Sequence, residues 1–493
     1  MPHSLGTTRF PAGSHAAATW TIPADYGGMT SALLRRSRAF AREAGVPVRV
    51  LTFSPDLDAA ATRRMLEERG ELTGGVTLHN VWEDLRLLPD AAVAPSAKGR
   101  PEDVPRGAEG ELVRTETGPD GEVRRQLHFR DDGTLAAVDD RAGERRVTLY
   151  SRDGRRGLRW GSVWSLYRYW LDHVLPERPA YVVVDSKTMV KFFASLRRAD
   201  VYTAHLVHGA HLSAKATDAH GPLTAARTPL VEHLDDFDAV VFLTEGQRRD
   251  IVERMGERAH TYVVPNSTDL PDGAVPPRED RCRGAVLASL HGRKRVGQAV
   301  AGIERARART GLDVTLDVYG DGPERARVEA RAATVPGVTL HGYVRGAADR
   351  LADASFLLLT SRAEGLPLVF AEAMSRGCVP IAYDIRYGPA DIITDGVDGF
   401  LVPDGDVDAL AAAIERFVTL DDDAAGRMRE AARATARGYS DAAVVARWAD
   451  VLDDVTRRRR SARGGGPGGS SAWRRFRPTW WARVAGMLRR APR

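Results

Sequence analysis

SFLLLTSRAEGLPLVFAEAMSRGCVPIAYD, residues 355–384, reads as a strand, a loop, a helix and a second strand. SFLLLT is a short apolar run, Pro367 suits a first helical turn, and CVPIAYD returns to β-prone residues. Strand, helix, strand in this order is the crossover unit of a parallel sheet covered by helices.

The pattern continues on both sides. Upstream lie AVLASL, a helix near Val296 to Arg309, LDVTLDVYG and GVTLHGYV; downstream lie GFLVP and helices near 406–418 and 441–455. A similar series fills the first half: AATWTI, a helix near Thr30 to Ala44, VPVRVLTF, a helix near Leu57 to Glu68 and VTLHNV. It resumes with YVVVD (181–185), VYTAHLV (201–207), AVVFLT (239–244) and TYVV (261–264). The expected fold class is α/β, with two Rossmann-like doubly wound domains facing across a cleft. Ligands of such folds sit beyond the carboxyl ends of the strands, so the loops after strands are where chemistry is sought.

Residues 91–160 break the pattern. Asp120-Gly121, Asp132-Gly133, Ala142-Gly143 and Asp153-Gly154 recur between short segments such as VRRQLHF and RRVTLY, as in antiparallel hairpins. A small β-meander inserted in the first domain is expected, with a charged disordered loop as the alternative. The expected division is 1–264 for the first domain, 91–160 for the insertion and 265–284 for a proline-rich linker. Residues 285–440 form the second domain, 441–455 a closing helix and 456–493 a basic aromatic tail. RRRRSARGGGPGGSSA (457–472) reads as a flexible tether.

Composition narrows the class. The chain has 493 residues, 43% hydrophobic and 28% charged, and no apolar run near the roughly 18 residues of a membrane helix. Cys282 and Cys378 are its only cysteines, too few for a thiolate metal cage or a disulfide framework. MPHSLGTTRF is followed by no apolar stretch, so no export signal is read and a cytoplasmic location is expected. The net charge of +5 conceals 12 arginines and no acid in residues 456–493, which leaves the rest net acidic.

Several loops carry candidate chemistry. Gly27-Gly28 precedes a helix whose amides and positive dipole end suit a phosphate, although glycine there also serves a tight turn. His208 and His211 in VHGAHLS follow a strand, where a histidine donates to a hydroxyl or shuttles a proton, or is satisfied structurally. Arg293, Lys294 and Arg295 end another strand and offer cations to a diphosphate, or form a solvated basic turn. YGDGPE (319–324) is by itself a good turn entering a helix. Glu364 in its loop and Glu372 inside the following helix are spaced to face one cleft and accept paired hydrogen bonds from vicinal hydroxyls. Gly365, Leu366 and Pro367 put a helix N-terminus beside them. No metal site is expected, and DGDVD (404–408) reads as a helix cap.

Taken together, DVYGDGPE, GVTLHGYV, EGLPLVFAEAMSRG and YGPADIITDGVDGFLVP resemble, in order and spacing, the retaining family 4 glycosyltransferases of the GT-B fold. With DYGGMTSALLRRS, VHGAH and YDIRYGP, the chain looks like the subgroup of poly(glycerol-phosphate) α-glucosyltransferases, teichoic-acid N-acetylglucosaminyltransferases and enzymes that glycosylate serine-rich proteins. The resemblance implies a retaining, metal-independent hexosyltransferase with no cofactor, taking a UDP-sugar as donor. A cell-envelope polymer such as teichoic acid, a polyol phosphate, is the implied acceptor. Transfer to Ser or Thr of a protein, or a non-catalytic sugar-nucleotide-binding partner, are the alternatives.

By that resemblance Lys294 meets the diphosphate, Glu364 the donor sugar, Glu372 the ribose, and His208 or His211 the sugar near its anomeric carbon. Gly27, Gly28, Arg293, Arg295, Gly342, Tyr343, Gly365, Leu366, Pro367 and Leu368 are implied to surround the donor. Ser289 stands where the family usually has an arginine five residues before the lysine. A homotrimer through the β insertion is also implied.

In the tail, Trp480, Trp481, Val484, Met487 and Leu488 fall at helical spacing beside Arg483, Arg489 and Arg490. Residues 473–493 are expected to rest on an anionic membrane surface at the inner face of the cell membrane; the alternative is a disordered tail, and no nucleic-acid module accompanies it.

Overall fold

The structure is a computed structural model describing residues 9–93, 100–213, 215–268, 270–271 and 280–464. Its strands in chain order are β1 Ser14–Thr19, β2 Val48–Thr52, β3 Val76–Asn80, β4 Val113–Thr117, β5 Val123–Phe129, β6 Leu135–Asp140, β7 Arg146–Tyr150, β8 Arg156–Trp160 and β9 Ala180–Val184. There follow β10 Val201–Val207, β11 Ala239–Phe242, β12 Thr261–Val263, β13 Arg283–Leu287, β14 Thr315–Tyr319, β15 Val338–Gly342, β16 Phe356–Leu359, β17 Val379–Asp384 and β18 Phe400–Pro403. One sheet has the order β12-β11-β10-β9-β1-β2-β3, a second the order β15-β14-β13-β16-β17-β18, and a third the order β4-β5-β6-β7-β8.

The first two are doubly wound parallel sheets: from a first strand the order grows outward on one side, then reverses and grows on the other. In the second sheet the reversal falls between β13 and β16, which pair in parallel through Gly284↔Phe356 and Ala285↔Leu357. Gly284 is required there, because a Cβ would lie 2.5 Å from the Phe356 ring. Val286, Val318, Phe356, Leu358 and Ile381 on one face and Leu357, Leu359 and Ala382 on the other are buried under helices. Burial on both faces is why these strands read as unbroken apolar runs.

The chain divides into two compact units. One comprises Arg9–Ala204, Asp235–Asp238 and the described residues from Leu452; the other comprises His205–Leu234 and Ala239–Val451.

Two sequence expectations shift. AATWTI (17–22) was expected as the first strand, whereas β1 covers Ser14–Thr19. The chain leaves the sheet at Trp20, whose carbonyl accepts from the amides of Phe53 and Ser54, while polar His15 is admitted by stacking on Tyr181 at 5.1 Å. The last helix runs Asp441–Gly464, so RRRR (457–460) is helical and not tether. Arg457 and Arg458 pair with Asp454, one turn back, at 3.0 and 2.8 Å, and Thr456 bonds the Tyr181 hydroxyl at 2.8 Å. The helix Asp422–Arg437, capped by Asp421, was not anticipated.

The antiparallel sheet β4–β8 is the expected meander. Gly121, Gly133 and Gly154 take φ of 79°, 75° and 82°, the left-handed conformation that turn glycines supply. Buried Arg130 ties the meander together by donating to the carbonyls of Leu135 at 2.7 Å, Tyr150 at 2.6 Å and Arg86 at 3.2 Å.

Candidate active site

The carboxyl ends of β13 and β16 flank the reversal of strand order in the second sheet, the place where doubly wound sheets bind ligands. The loop after β13 tightens into a 3-10 turn, Gly292–Lys294, and Arg295 then takes φ 49° before the helix Val296–Thr310. This turn is sewn to the loop after β16. Arg362 N donates to the Arg293 carbonyl at 2.8 Å, and Thr360 Oγ1 donates to the carbonyls of Lys294 and Arg295 at 2.9 and 3.1 Å. In return the Arg295 guanidinium donates to the carbonyls of Thr360 and Ser361, both at 2.8 Å, and pairs with Asp404.

The two loops therefore meet in fixed register, and their acid and base meet with them. Lys294 Nζ donates to Glu364 Oε1 at 2.5 Å, with the two side chains only 15% and 11% exposed. Arg293, largely exposed, stands 3.9 Å from the other carboxylate oxygen. Of the three neighbouring cations, Lys294 and Arg293 face Glu364, whereas Arg295 is committed to holding the loops. Ser289 is exposed, and its carbonyl accepts from the His291 amide at 2.8 Å.

YGDGPE supports the same turn from below. A Cβ at Gly320 would lie 1.9 Å from the Ala288 carbonyl oxygen and one at Gly322 2.7 Å from that of Leu290, so both glycines admit backbone contact. Leu290 N donates to the Asp321 carbonyl at 2.9 Å and Glu324 N to the Leu290 carbonyl at 2.8 Å. Gly320 N reaches the carbonyl of Gly342 at 2.8 Å, at the end of β15, and the next residue, Tyr343, is 79% exposed.

Beyond Glu364 the helix Leu368–Ser375 begins at Pro367 with no side-chain cap. Its amide end is thus open to an anion. Leu368 and Glu372 share the partly exposed stripe of this helix, one turn apart, while Phe370, Ala371, Ala373 and Met374 are buried. Asp406 caps the helix Val407–Val418 through the amides of Asp408 and Ala409, as expected of DGDVD.

The turn carrying the two histidines packs against this loop. A Cβ on Gly365 would lie 2.7 Å from both Cα and N of Gly209. His211 is 1% exposed, and its ring stacks on Tyr387 at 5.3 Å. The Tyr387 hydroxyl donates to Asp250 Oδ2 at 2.5 Å, so its lone pair is left to accept from His211 Nε2–H at 3.3 Å. The result is a chain from imidazole to phenol to carboxylate, with His211 neutral. Burial pushes the His211 imidazole down to about 4; Asp250 favours the charged form, and Arg227, Arg254 and Arg386 oppose it. Tyr387 holds φ 69°, costly for a non-glycine residue, and Gly388 after it packs on Pro367. His208 is 9% exposed, and its carbonyl accepts from Arg227. Neither Arg227, Asp250 nor Tyr387 was singled out from the sequence.

Gly27 and Gly28 belong to the other compact unit, at the start of the helix Gly28–Glu43. A Cβ at either would meet nothing within 4 Å, and neither takes a positive φ. Among the described residues no group of three or more His, Cys, Asp or Glu is placed to hold a metal ion, and no helix is long and apolar enough to cross a membrane.

Comparison with known proteins bears on this site. Residues 283–419 match the family Glycosyl transferases group 1. A poly(glycerol-phosphate) alpha-glucosyltransferase of Bacillus subtilis (strain 168) is 24% identical over 318 residues, 63% of this chain and 46% of that protein. An exopolysaccharide phosphotransferase of Streptomyces coelicolor is 31% identical over 241 residues, 47% of this chain and 25% of that protein. The chain spans less than half the length of these two relatives. A solved structure of a S. aureus TarM mutant, in complex with Fondaparinux, alpha-GlcNAc-glycerol and UDP, matches with a TM-score of 0.65 at 17% identity, over 90% of this chain and 100% of that one. The fold is thus GT-B, and the stretch that matches the Glycosyl transferases group 1 family, residues 283–419, carries Lys294 and Glu364.

Proposed function

We propose that the chain is a retaining hexosyltransferase, acting without a metal ion, that moves glucose or N-acetylglucosamine from a UDP-sugar to a cell-envelope polymer of the polyol-phosphate class. The observation that carries this reading is the Lys294–Glu364 pair, 2.5 Å apart where the strand order reverses, beside the uncapped helix that bears Glu372. A carboxylate suits sugar hydroxyls and an ammonium suits the leaving diphosphate. In the reaction the acceptor oxygen bonds to the anomeric carbon on the face from which the diphosphate leaves. The bond from that carbon to the phosphate oxygen breaks, and the acceptor proton passes to the departing phosphate. Positioning and charge stabilisation supply the rate, with no side-chain base. His208 or His211 is assigned to the donor sugar.

Incubating the purified chain with UDP-glucose or UDP-N-acetylglucosamine should release UDP from one of them, faster when poly(glycerol phosphate) is added. A chain that binds UDP yet releases none from either sugar, with or without acceptor, would instead be a non-catalytic partner.

A cytoplasmic enzyme resting on the inner face of the membrane through residues 473–493 is part of this proposal; those residues lie outside the described ones. Truncation after Gly464 spares the bonds that Thr456 and Arg459 make to Tyr181 and Asp238. The shortened chain should keep its UDP release but no longer sediment with anionic liposomes at low salt. Sedimentation equal to that of the full chain would rule the anchor out.

A further inference from the structure

Tyr387 occupies a backbone conformation that a side chain makes costly. Its φ of 69° lies in the left-handed region, and at Gly388 beside it φ is 103°. A glycine at 387 would adopt the same turn freely, so the side chain is retained against a strain that glycine avoids. The ring is 5% exposed and stacks on His211 at an interplanar angle of 26°. Its hydroxyl reaches Asp250 Oδ2 at 2.5 Å and His211 Nε2 at 3.3 Å.

The turn that carries Tyr387 is fastened to the preceding part of this unit at further points. Arg386 donates to the carbonyls of Asp218 and Thr217 at 2.9 and 3.3 Å and lies 3.6 Å from Asp250. Asp391 accepts from the amides of Gly246 and Gly388 at 2.9 and 3.2 Å. On its other side the turn presses on the loop of Glu364. A Cβ at Gly388 would lie 2.5 Å from Pro367 Cδ and 3.4 Å from the Gly365 carbonyl oxygen. Gly209, two residues before His211, presses on Gly365 itself, where a Cβ would lie 2.7 Å from the Gly209 Cα. Gly365 and Pro367 are thus held between Gly209 and Gly388, and the stacked rings of His211 and Tyr387 join the two sides.

We infer that Tyr387 is a positioning residue for the turn 364–368, its phenol fixed by Asp250 and its ring by His211. The inference rests on the donor reading proposed above, in which Glu364 holds the transferred sugar. Tyr387 acts through the backbone of Gly365 and Pro367, not by touching substrate. Displacing a positioned group by about 1 Å slows a reaction on the order of 100-fold, so a small relaxation of this grip is enough to be read in the rate.

The test uses the full chain with whichever of UDP-glucose and UDP-N-acetylglucosamine the wild type cleaves. Tyr387→Phe keeps the ring and removes the hydroxyl, and should lower kcat about tenfold or more. Its affinity for UDP, measured by calorimetry, should stay within about threefold, because UDP carries no sugar for Glu364 to hold. Asp250→Asn still offers the hydroxyl an oxygen and should lose less activity than Asp250→Ala. Tyr387→Phe combined with Asp250→Ala should cost no more than the larger single loss, since both remove one interaction. Tyr387→Gly relieves the backbone strain and should nonetheless lose kcat as Tyr387→Phe does. A kcat in Tyr387→Phe within about twofold of wild type, or equal falls in kcat and UDP affinity, overturns the role. Where Tyr387→Phe does not fold, the two Asp250 variants decide: a smaller loss in Asp250→Asn supports the role, and equal activities overturn it. A wild-type chain that releases no UDP from either sugar refutes the donor reading and this inference together, whereas an active wild type with unaffected variants refutes this inference alone.

Discussion

Under the proposed reaction Lys294→Ala should turn over its nucleotide sugar about 100-fold or more slowly than wild type, while the far-UV spectrum and the unfolding profile should keep their wild-type form. The magnitude follows from the role. One well-placed charge facing a developing oxyanion contributes about 3 kcal/mol, and each 1.36 kcal/mol of barrier is about tenfold in rate. The loss should fall on kcat more than on KM, because the diphosphate carries more charge as it leaves than while it is bonded to the sugar. Some stability is lost as well. Glu364 is 11% exposed, and without the lysine its nearest cation is Arg293 at 3.9 Å, so a partly buried carboxylate is left under-compensated. Glu364→Gln separates the two effects: the amide keeps the shape and removes the charge, and activity should vanish with the fold retained. Wild-type turnover in both variants would contradict the roles assigned to the pair.

Gly365→Ala should be nearly as damaging, through geometry rather than charge. The added methyl would sit 2.7 Å from Cα and N of Gly209. No flexible side chain is there to yield, so the backbone of one loop must move. The carbonyl of the residue before Gly209 is held by Arg227, and Gly209's own carbonyl by Gln247 Nε2 at 3.0 Å. The displacement therefore falls on Glu364 and the start of the helix Leu368–Ser375. A shift of about 1 Å in a positioned group costs on the order of 100-fold in rate. A steady-state assay of this variant beside Gly426→Ala, in the helix Asp422–Arg437, where φ is not positive and a Cβ meets nothing within 4 Å, checks the argument. Equal activities would show that the approach of Gly209 to Gly365 does not govern catalysis.

The two parallel sheets were legible because each strand is a short β-branched or apolar run bounded by helical spacing. The meander was legible because its turns are marked by glycine, three of them with positive φ. What the sequence did not disclose depends on distant partners. Trp20 and Ile22 look like strand residues, yet the chain turns where the Trp20 carbonyl meets two amides from beyond β2. RRRR looks like a solvated linker, yet it continues a helix, because Asp454, one turn back, and Asp238, more than 200 residues away in sequence, hold its arginines.

The candidate site divides in the same way. Lys294, Glu364 and Gly365 could be named from their loops, since the reversal of strand order brings those loops together. The engagement of His211 was hidden, because it runs through Tyr387 to Asp250, 137 residues apart along the chain. Arg227 was invisible for a simpler reason. In a chain with 71 basic residues an arginine carries no signal until its burial and its bond to the His208 carbonyl are seen.

Calorimetric titration of the full chain with UDP tests the central claim most directly, with wild type, Lys294→Ala and Glu372→Ala measured side by side. The account predicts saturable, one-to-one binding by wild type and affinities about tenfold or more weaker in each variant, since one loses the diphosphate's ammonium and the other the ribose's carboxylate. Equal UDP affinity in all three proteins, or no binding by wild type, would contradict it.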